Sequence, residues 1–168
     1  MTQEQDYAYD PTQEDEAEES AADFDVDDEY KPVPLIPNGN YLGAITAVKV
    51  EGARIAFQIT MSENGPEHVM SDGETPVDGA QEYYNVWLPK AGDESTPTTS
   101  GKQTKRQWKI NNMKKVGEKL GIRLQSLGQI REDAAAGTWV GHEVVAVVGT
   151  REYKGEMQNE ITDLVERK

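Results

Sequence analysis

The sequence predicts a mainly β domain of order β-β-β-α-β-β, set behind an acidic N-terminal arm. Three observations lead there. Charge is partitioned: thirteen of the 31 acidic residues lie within residues 1–30, which hold no Lys or Arg, so the rest of the chain carries eighteen acids against seventeen bases. Five segments show β-branched and aromatic enrichment or strict apolar alternation between turn signals. One segment between the third and fourth of these repeats its apolar residues at helical spacing.

The arm, residues 1–30, repels itself and has too few apolar side chains to offset the entropy of ordering, so disorder is expected. Residues 31–37 (KPVPLIP) form a stiff joint, because prolines at near-alternate positions favour an extended chain. Asn38-Gly39 marks a turn into the folded domain, residues 38–168.

Residues 41–50 read as the first strand and Glu51-Gly52 as a tight turn. Residues 54–61 alternate, with Ile55, Phe57, Ile59 and Met61 on one face and Arg54, Gln58 and Thr60 on the other, which makes a hairpin. Residues 62–80, rich in Gly, Pro, Ser and Asp, are expected to be a long mobile loop. The third strand, 81–88, puts Tyr84, Val86 and Leu88 on one face and Tyr83, Asn85 and Trp87 on the other. A second loop, 89–104, ends in the basic run SGKQTKR. Residues 108–120 predict a helix on the spacing of Ile110, Met113, Val116 and Leu120, with Gly121 as its C-cap. A short helix is expected over 130–136, an apolar strand within 139–150, and a last strand over 157–165 after the turn Lys154-Gly155. Trp108 and Trp139 are assigned to the core. This order is that of a small five-stranded OB-like barrel with one main helix.

Composition excludes several classes. Cysteine is absent, which rules out disulfides and thiolate chemistry and suits a reducing compartment. The N-terminus lacks the basic and apolar regions of a signal peptide, and no apolar run approaches a membrane span, so a cytoplasmic protein is expected. His68 and His142 have no sequence-local metal or nucleophile partner, so an enzyme is not expected and no cofactor or metal is implied. Asp23, Asp25 and Asp27 imitate the start of a calcium loop, but Asp28 replaces its glycine and Pro34 its last ligand. Gly101-Lys102-Gln103-Thr104 lacks the upstream glycine of a phosphate loop.

Two stretches carry a resemblance. Residues 36–45 (IPNGNYLGAI) are similar to an I-P-x-G-x-Y-x-A-x-I opening strand. Residues 141–148 (GHEVVAVV), followed by Arg151-Glu152-Tyr153-Lys154-Gly155 and Asn159-Glu160-Ile161, resemble a G-x-x-V-x-V-x-V, R-E-Y-x-G, N-x-I hairpin. Together they resemble a family of small, uncharacterised bacteriophage proteins encoded near replication and recombination genes. That resemblance implies an OB-type barrel that binds single-stranded DNA, in the host cytoplasm if phage-encoded. Single-strand binders of this architecture carry their acidic tail at the C-terminus, whereas here the acidic arm is N-terminal.

The residues themselves suggest where such a strand would lie. Residues 102–123 hold Lys102, Lys105, Arg106, Lys109, Lys114, Lys115, Lys119 and Arg123 against a single acid, Glu118. A basic strip releases phosphate counterions on binding. Lys114, Lys115 and Lys119 read equally as a solvated helix face, while Lys102, Lys105, Arg106 and Lys109 lead from a loop to a Trp. Sequence-tolerant binding also needs aromatic platforms. Tyr83 and Trp87, with Arg54 and Gln58 beside them, are the candidates on the strands. Tyr153, between Arg151 and Lys154, is the candidate at the last turn, although strand aromatics commonly serve packing. In the arm, Asp23, Phe24, Asp25, Asp27, Asp28, Glu29 and Tyr30 mix carboxylates with aromatics. This segment would recruit replication or recombination proteins, lie on the basic strip as an autoinhibitor, or only solubilise. The rival functions are a protein-interaction adaptor and an acidic DNA mimic that inhibits a host nucleic-acid-binding factor.

Overall fold

A computed structural model describes residues 20–168. The expected disorder of residues 1–19 lies outside the described residues. The chain divides into two compact units between Val33 and Pro34. In the first, residues 20–33 are exposed and mostly without regular secondary structure, but Val26–Glu29 form one helical turn. The turn departs from the expected disorder because Asp25 caps it, accepting from the backbone N–H groups of Asp27 and Asp28, while its own N–H donates to Glu29.

The second unit is built on five antiparallel strands: β1 (Gly39–Glu51), β2 (Arg54–Met61), β3 (Gln81–Trp87), β4 (Glu143–Tyr153) and β5 (Glu156–Glu166). They are ordered β3-β2-β1-β4-β5 in one sheet. Helices α1 (Lys105–Leu120) and α2 (Leu127–Ala136) lie between β3 and β4. The mainly β order expected from the sequence is therefore the observed one. No ladder joins β3 to β5, yet these two ends of the sheet pack against each other, so the sheet curls round and leaves a seam without hydrogen bonds. α1 packs on both β3 and β5, and α2 on β1.

The core follows strand alternation. Ile55, Phe57, Ile59 and Met61 of β2 are fully buried, as are Val86 of β3 and Val144 and Ala146 of β4. Trp139 is buried with its ring 5.9 Å from that of Phe57, as expected, although residues 139–142 turn into β4 rather than begin it. Gly43 permits close approach of β1 to β2, since a Cβ there would lie 2.8 Å from the carbonyl oxygen of Thr60.

Two β-bulges break the alternation. On β1, Tyr41, Gly43 and Ile45 face inward; the register then slips between Ile45 and Ala47, and Thr46 and Ala47 are both exposed. On β5 a slip opposite Val147 and Val148 brings Ile161 and Leu164, three residues apart, to the same interior. At each bulge a threonine hydroxyl donates across the ladder: Thr46 to the carbonyl of Gln58 (3.4 Å) and Thr162 to that of Val147 (3.3 Å).

Four expectations are corrected. The 62–80 segment, expected to be mobile, is a built loop. Asp78 accepts from the backbone and side chain of Asn64 and from the backbone of Gly65, Val69 bridges Pro76, and Val77 is fully buried. The stiff joint is shorter than 31–37: Leu35 exchanges hydrogen bonds with Ser71, and Ile36 is buried and clamped by Asn159, whose amide accepts from its N–H (2.8 Å) and donates to its carbonyl (2.9 Å). The first helix starts at Lys105 rather than 108, because Thr104 caps it by accepting from the N–H of Gln107. Trp108, assigned to the core, is 45% exposed. The inward stripe of α1 is Val116 and Leu120 with Met113 beside them, and Trp108 falls off that stripe.

Candidate nucleic-acid interface

The outer face of β1–β2–β3 follows from the core. With Ile55, Phe57, Ile59 and Val86 turned inward, the intervening residues must face out. The β2–β3 register then sets Arg54 directly opposite Trp87 and Gln58 directly opposite Tyr83. Trp87 is 47% exposed and Tyr83 59% exposed, so neither ring is consumed by packing. Gln58 is held by a 2.9 Å hydrogen bond to Gln81.

Two grooves run over this surface. The first, ≈ 410 Å³, is lined by Lys49, Arg54, Gln58, Tyr83 and Asn85, among others. The second, ≈ 360 Å³, follows the β3–β5 seam and includes Tyr83, Asn85, Trp87, Arg151, Asn159 and Glu160. Tyr83 and Asn85 line both, so the trough consists of two grooves that adjoin along β3. Arg151 brings the β4–β5 hairpin to it. Two residues along the same strand face, Tyr153 is 48% exposed, with the Arg151 guanidinium 5.8 Å and the Lys154 ammonium 5.3 Å from its ring centre. The hairpin closes on Lys154 and Gly155, both at positive φ (52° and 82°), the backbone pair that a tight primed turn requires. Of the predicted residues, the structure therefore gathers Arg54, Gln58, Tyr83, Trp87 and Arg151 along one trough, with Tyr153 and Lys154 at the hairpin tip beyond.

The trough is not strongly cationic. Its three bases each have a carboxylate partner: Lys49 with Glu51 at 3.7 Å, Arg54 with Glu51 at 3.3 Å and Arg151 with Glu160 at 3.9 Å. These pairs are exposed and individually weak, so a phosphate can exchange for the carboxylate at small cost. Glu82, at the seam, is partly buried, and that burial pushes its carboxyl above the usual range. Tyr84 is raised as well, first by burial and then by the nearby Asp163 carboxylate.

The basic segment 102–109 does not extend this trough. Neither groove lined by Tyr83 or Trp87 contains a residue of that segment. Lys105 borders a different cavity beside Trp108, and Arg106 a groove between α1 and α2. Lys109, predicted to meet phosphate, is turned inward with a 15% exposed side chain, its ammonium donating to the buried Asp93 at 2.7 Å. The first turn of α1 explains the split: Lys105 and Arg106, with Lys102 just before the helix, face solvent, while Lys109 rotates toward the 3-10 turn at Asp93–Ser95.

Asn159 and Asp93 were missed in the sequence. Asn159 had a signal, in the N-x-I stretch, but nothing there shows that its partner is Ile36, more than a hundred residues away. The histidines have structural contacts: His142 Nε2 meets the carbonyl of Leu120 at the end of α1, and the His68 ring lies edge-on to Tyr41 at 6.0 Å. Among the described residues, no group of three His, Asp or Glu side chains is placed to hold a metal ion, and no helix is long and apolar enough to cross a membrane. In the arm, Phe24, Val26 and Tyr30 are exposed around the capped turn, alongside Asp23, Asp27 and Asp28. No protein-family model and no curated protein matches the sequence.

Proposed function

We propose that the second unit binds single-stranded DNA and that the chain acts in phage DNA replication or recombination. The observation that carries this reading is the pair of exposed rings, Tyr83 and Trp87, each facing a polar partner across the ladder on a trough that reaches the β4–β5 hairpin. Every base has a π-face, so two platforms on one open surface suit binding without sequence preference. Amides and guanidinium groups at Gln58, Asn85, Arg54 and Arg151 supply donors for phosphate and sugar.

A second reading, a protein-interaction adaptor, is favoured by one specific observation. The Asp25-capped turn presents Phe24, Val26 and Tyr30 outward among carboxylates, a small preorganised acidic-aromatic motif. Fluorescence anisotropy of a labelled homothymidine oligonucleotide, at two salt concentrations, separates the readings. Full-length protein should bind at low salt, and protein lacking residues 1–30 should bind as well or more tightly. No binding by either form would remove the single-strand reading. An activity that resides only in the arm, or capture of a basic host factor with no oligonucleotide binding, would favour the adaptor or the acidic mimic.

A further inference from the structure

Trp108 and the cations around it form a second surface that the trough does not use. Trp108 is 45% exposed in the first turn of α1 and lines a shallow cavity of ≈ 440 Å³ with Thr98, Thr99, Ser100, Gln103 and Lys105. The wall of this cavity is a small, fixed hairpin. Pro97 bridges Thr104, the N–H of Thr98 donates to the carbonyl of Gln103 at 2.9 Å, and Gly101 turns at φ 72°. Lys102 follows that turn, and Lys105 and Arg106 open the helix. All three are exposed, and none forms an ion pair with a carboxylate among the described residues. The contrast with the trough is complete, since each of its bases has a carboxylate partner. The next cation of the helix, Lys109, is drawn inward by Asp93, while Lys105 stays beside Trp108 on the cavity and Arg106 lines the separate groove between α1 and α2.

Resting on the single-strand reading above, we infer that this surface is a second contact site for single-stranded nucleic acid, separate from the trough. Trp108 stacks a base, while Lys105 on the cavity and Lys102 on the hairpin that walls it hold the flanking phosphates. Clustered like charges repel one another, and a polyanion relieves that repulsion while releasing its own counterions. An indole supplies the base platform, and the hydroxyls of Thr98, Thr99 and Ser100 with the Gln103 amide supply the polar contacts that position a backbone. The two surfaces thus divide the work. The charge-balanced trough supplies stacking with little salt dependence, and the helix-start platform supplies most of the salt dependence.

The protein's three tryptophans make the test direct, because Trp139 is only 5% exposed and should stay silent. A long homothymidine oligonucleotide is titrated into full-length Trp87→Phe, which reports on Trp108, and into Trp108→Phe, which reports on Trp87. Both are expected to be quenched. Replacing Lys102 and Lys105 with Gln should abolish the Trp108 signal, preserve the Trp87 signal, and reduce the salt slope by about 0.7 per lost phosphate contact. Quenching of Trp87 alone would overturn the second site and leave the trough. Quenching of Trp108 alone would overturn the trough and keep the helix-start contact, and silence from both would overturn both. If a synthetic peptide of residues 20–30 quenched Trp108 and the oligonucleotide did not, the surface would be an acidic-peptide site and the inference would fail. A double Gln variant that kept full Trp108 quenching would remove the phosphate role.

Discussion

Asn159 does more for the fold than its residue type suggests. Its single amide satisfies both the N–H and the carbonyl of Ile36, and also reaches the carbonyl of Gly149 at 3.3 Å, so it joins the entry of the chain to the last strand and the β4–β5 ladder. Truncation strands partly buried backbone groups, which costs about 1–3 kcal/mol. Asn159→Ala should therefore lower the thermal midpoint measurably while leaving far-ultraviolet circular dichroism unchanged. An unchanged midpoint would mean that Ile36 is held by its packing alone. Trp108 teaches the converse. Its type and position in a helical run suggest core, but only its angle relative to Val116 and Leu120 decides, and that angle puts it outside.

At the scale of elements, strand faces were legible in the sequence and irregularities were not. β2 and β3 alternate without interruption, so the exposed set of Arg54, Gln58, Tyr83 and Trp87 could be read directly. The bulges at Thr46 and Thr162 could not, because a one-residue slip shows in the sequence only as a broken alternation, indistinguishable from the end of a strand. The loops were misread because Gly, Pro and Asp content signals turns but not the hydrogen bonds that fix them. Asp78 and Asp93 supply those bonds. For Asp93, donation from the Lys109 ammonium, then from the backbone of Lys90, holds the carboxyl below its usual range against the opposing effect of burial. For Asp78, burial is the largest single influence and pushes upward, but the donors of Asn64 and Gly65 together outweigh it. A carboxyl lowered on folding contributes stability that is full above the unfolded value of about 3.9 and is lost as pH falls through the lower folded value. The domain should therefore lose stability below about pH 4. Asp93→Asn should be less stable at neutral pH and decline less steeply in acid, read as thermal midpoint against pH. Parallel acid limbs for the variant and the parent would contradict the role given to the Asp93–Lys109 pair.

Over the whole molecule, charge is segregated by sequence and then again by fold. The acidic excess belongs to residues 1–30, while the near-neutral remainder folds on its own contacts from Pro34 onward. Within that remainder Lys102 and Lys105, with no carboxylate partner among the described residues, lie near Trp108 at the start of α1, while Lys49, Arg54 and Arg151 of the trough are paired. Chain order revealed the first partition. The second depends on how α1 is rotated over β3 and β5, which periodicity alone does not give, so one groove joining residues 102–109 to Tyr83 and Trp87 is expected from the sequence where the structure has two surfaces. The central claim concerns the trough, and oligonucleotide affinity of the Tyr83→Ala/Trp87→Ala protein tests it most directly. Both rings are exposed, so the variant should keep the parent's thermal midpoint. Its affinity for a homothymidine strand should fall by about 1–3 kcal/mol per ring, with the salt slope nearly unchanged. An affinity equal to the parent's, in a folded variant, would contradict the account.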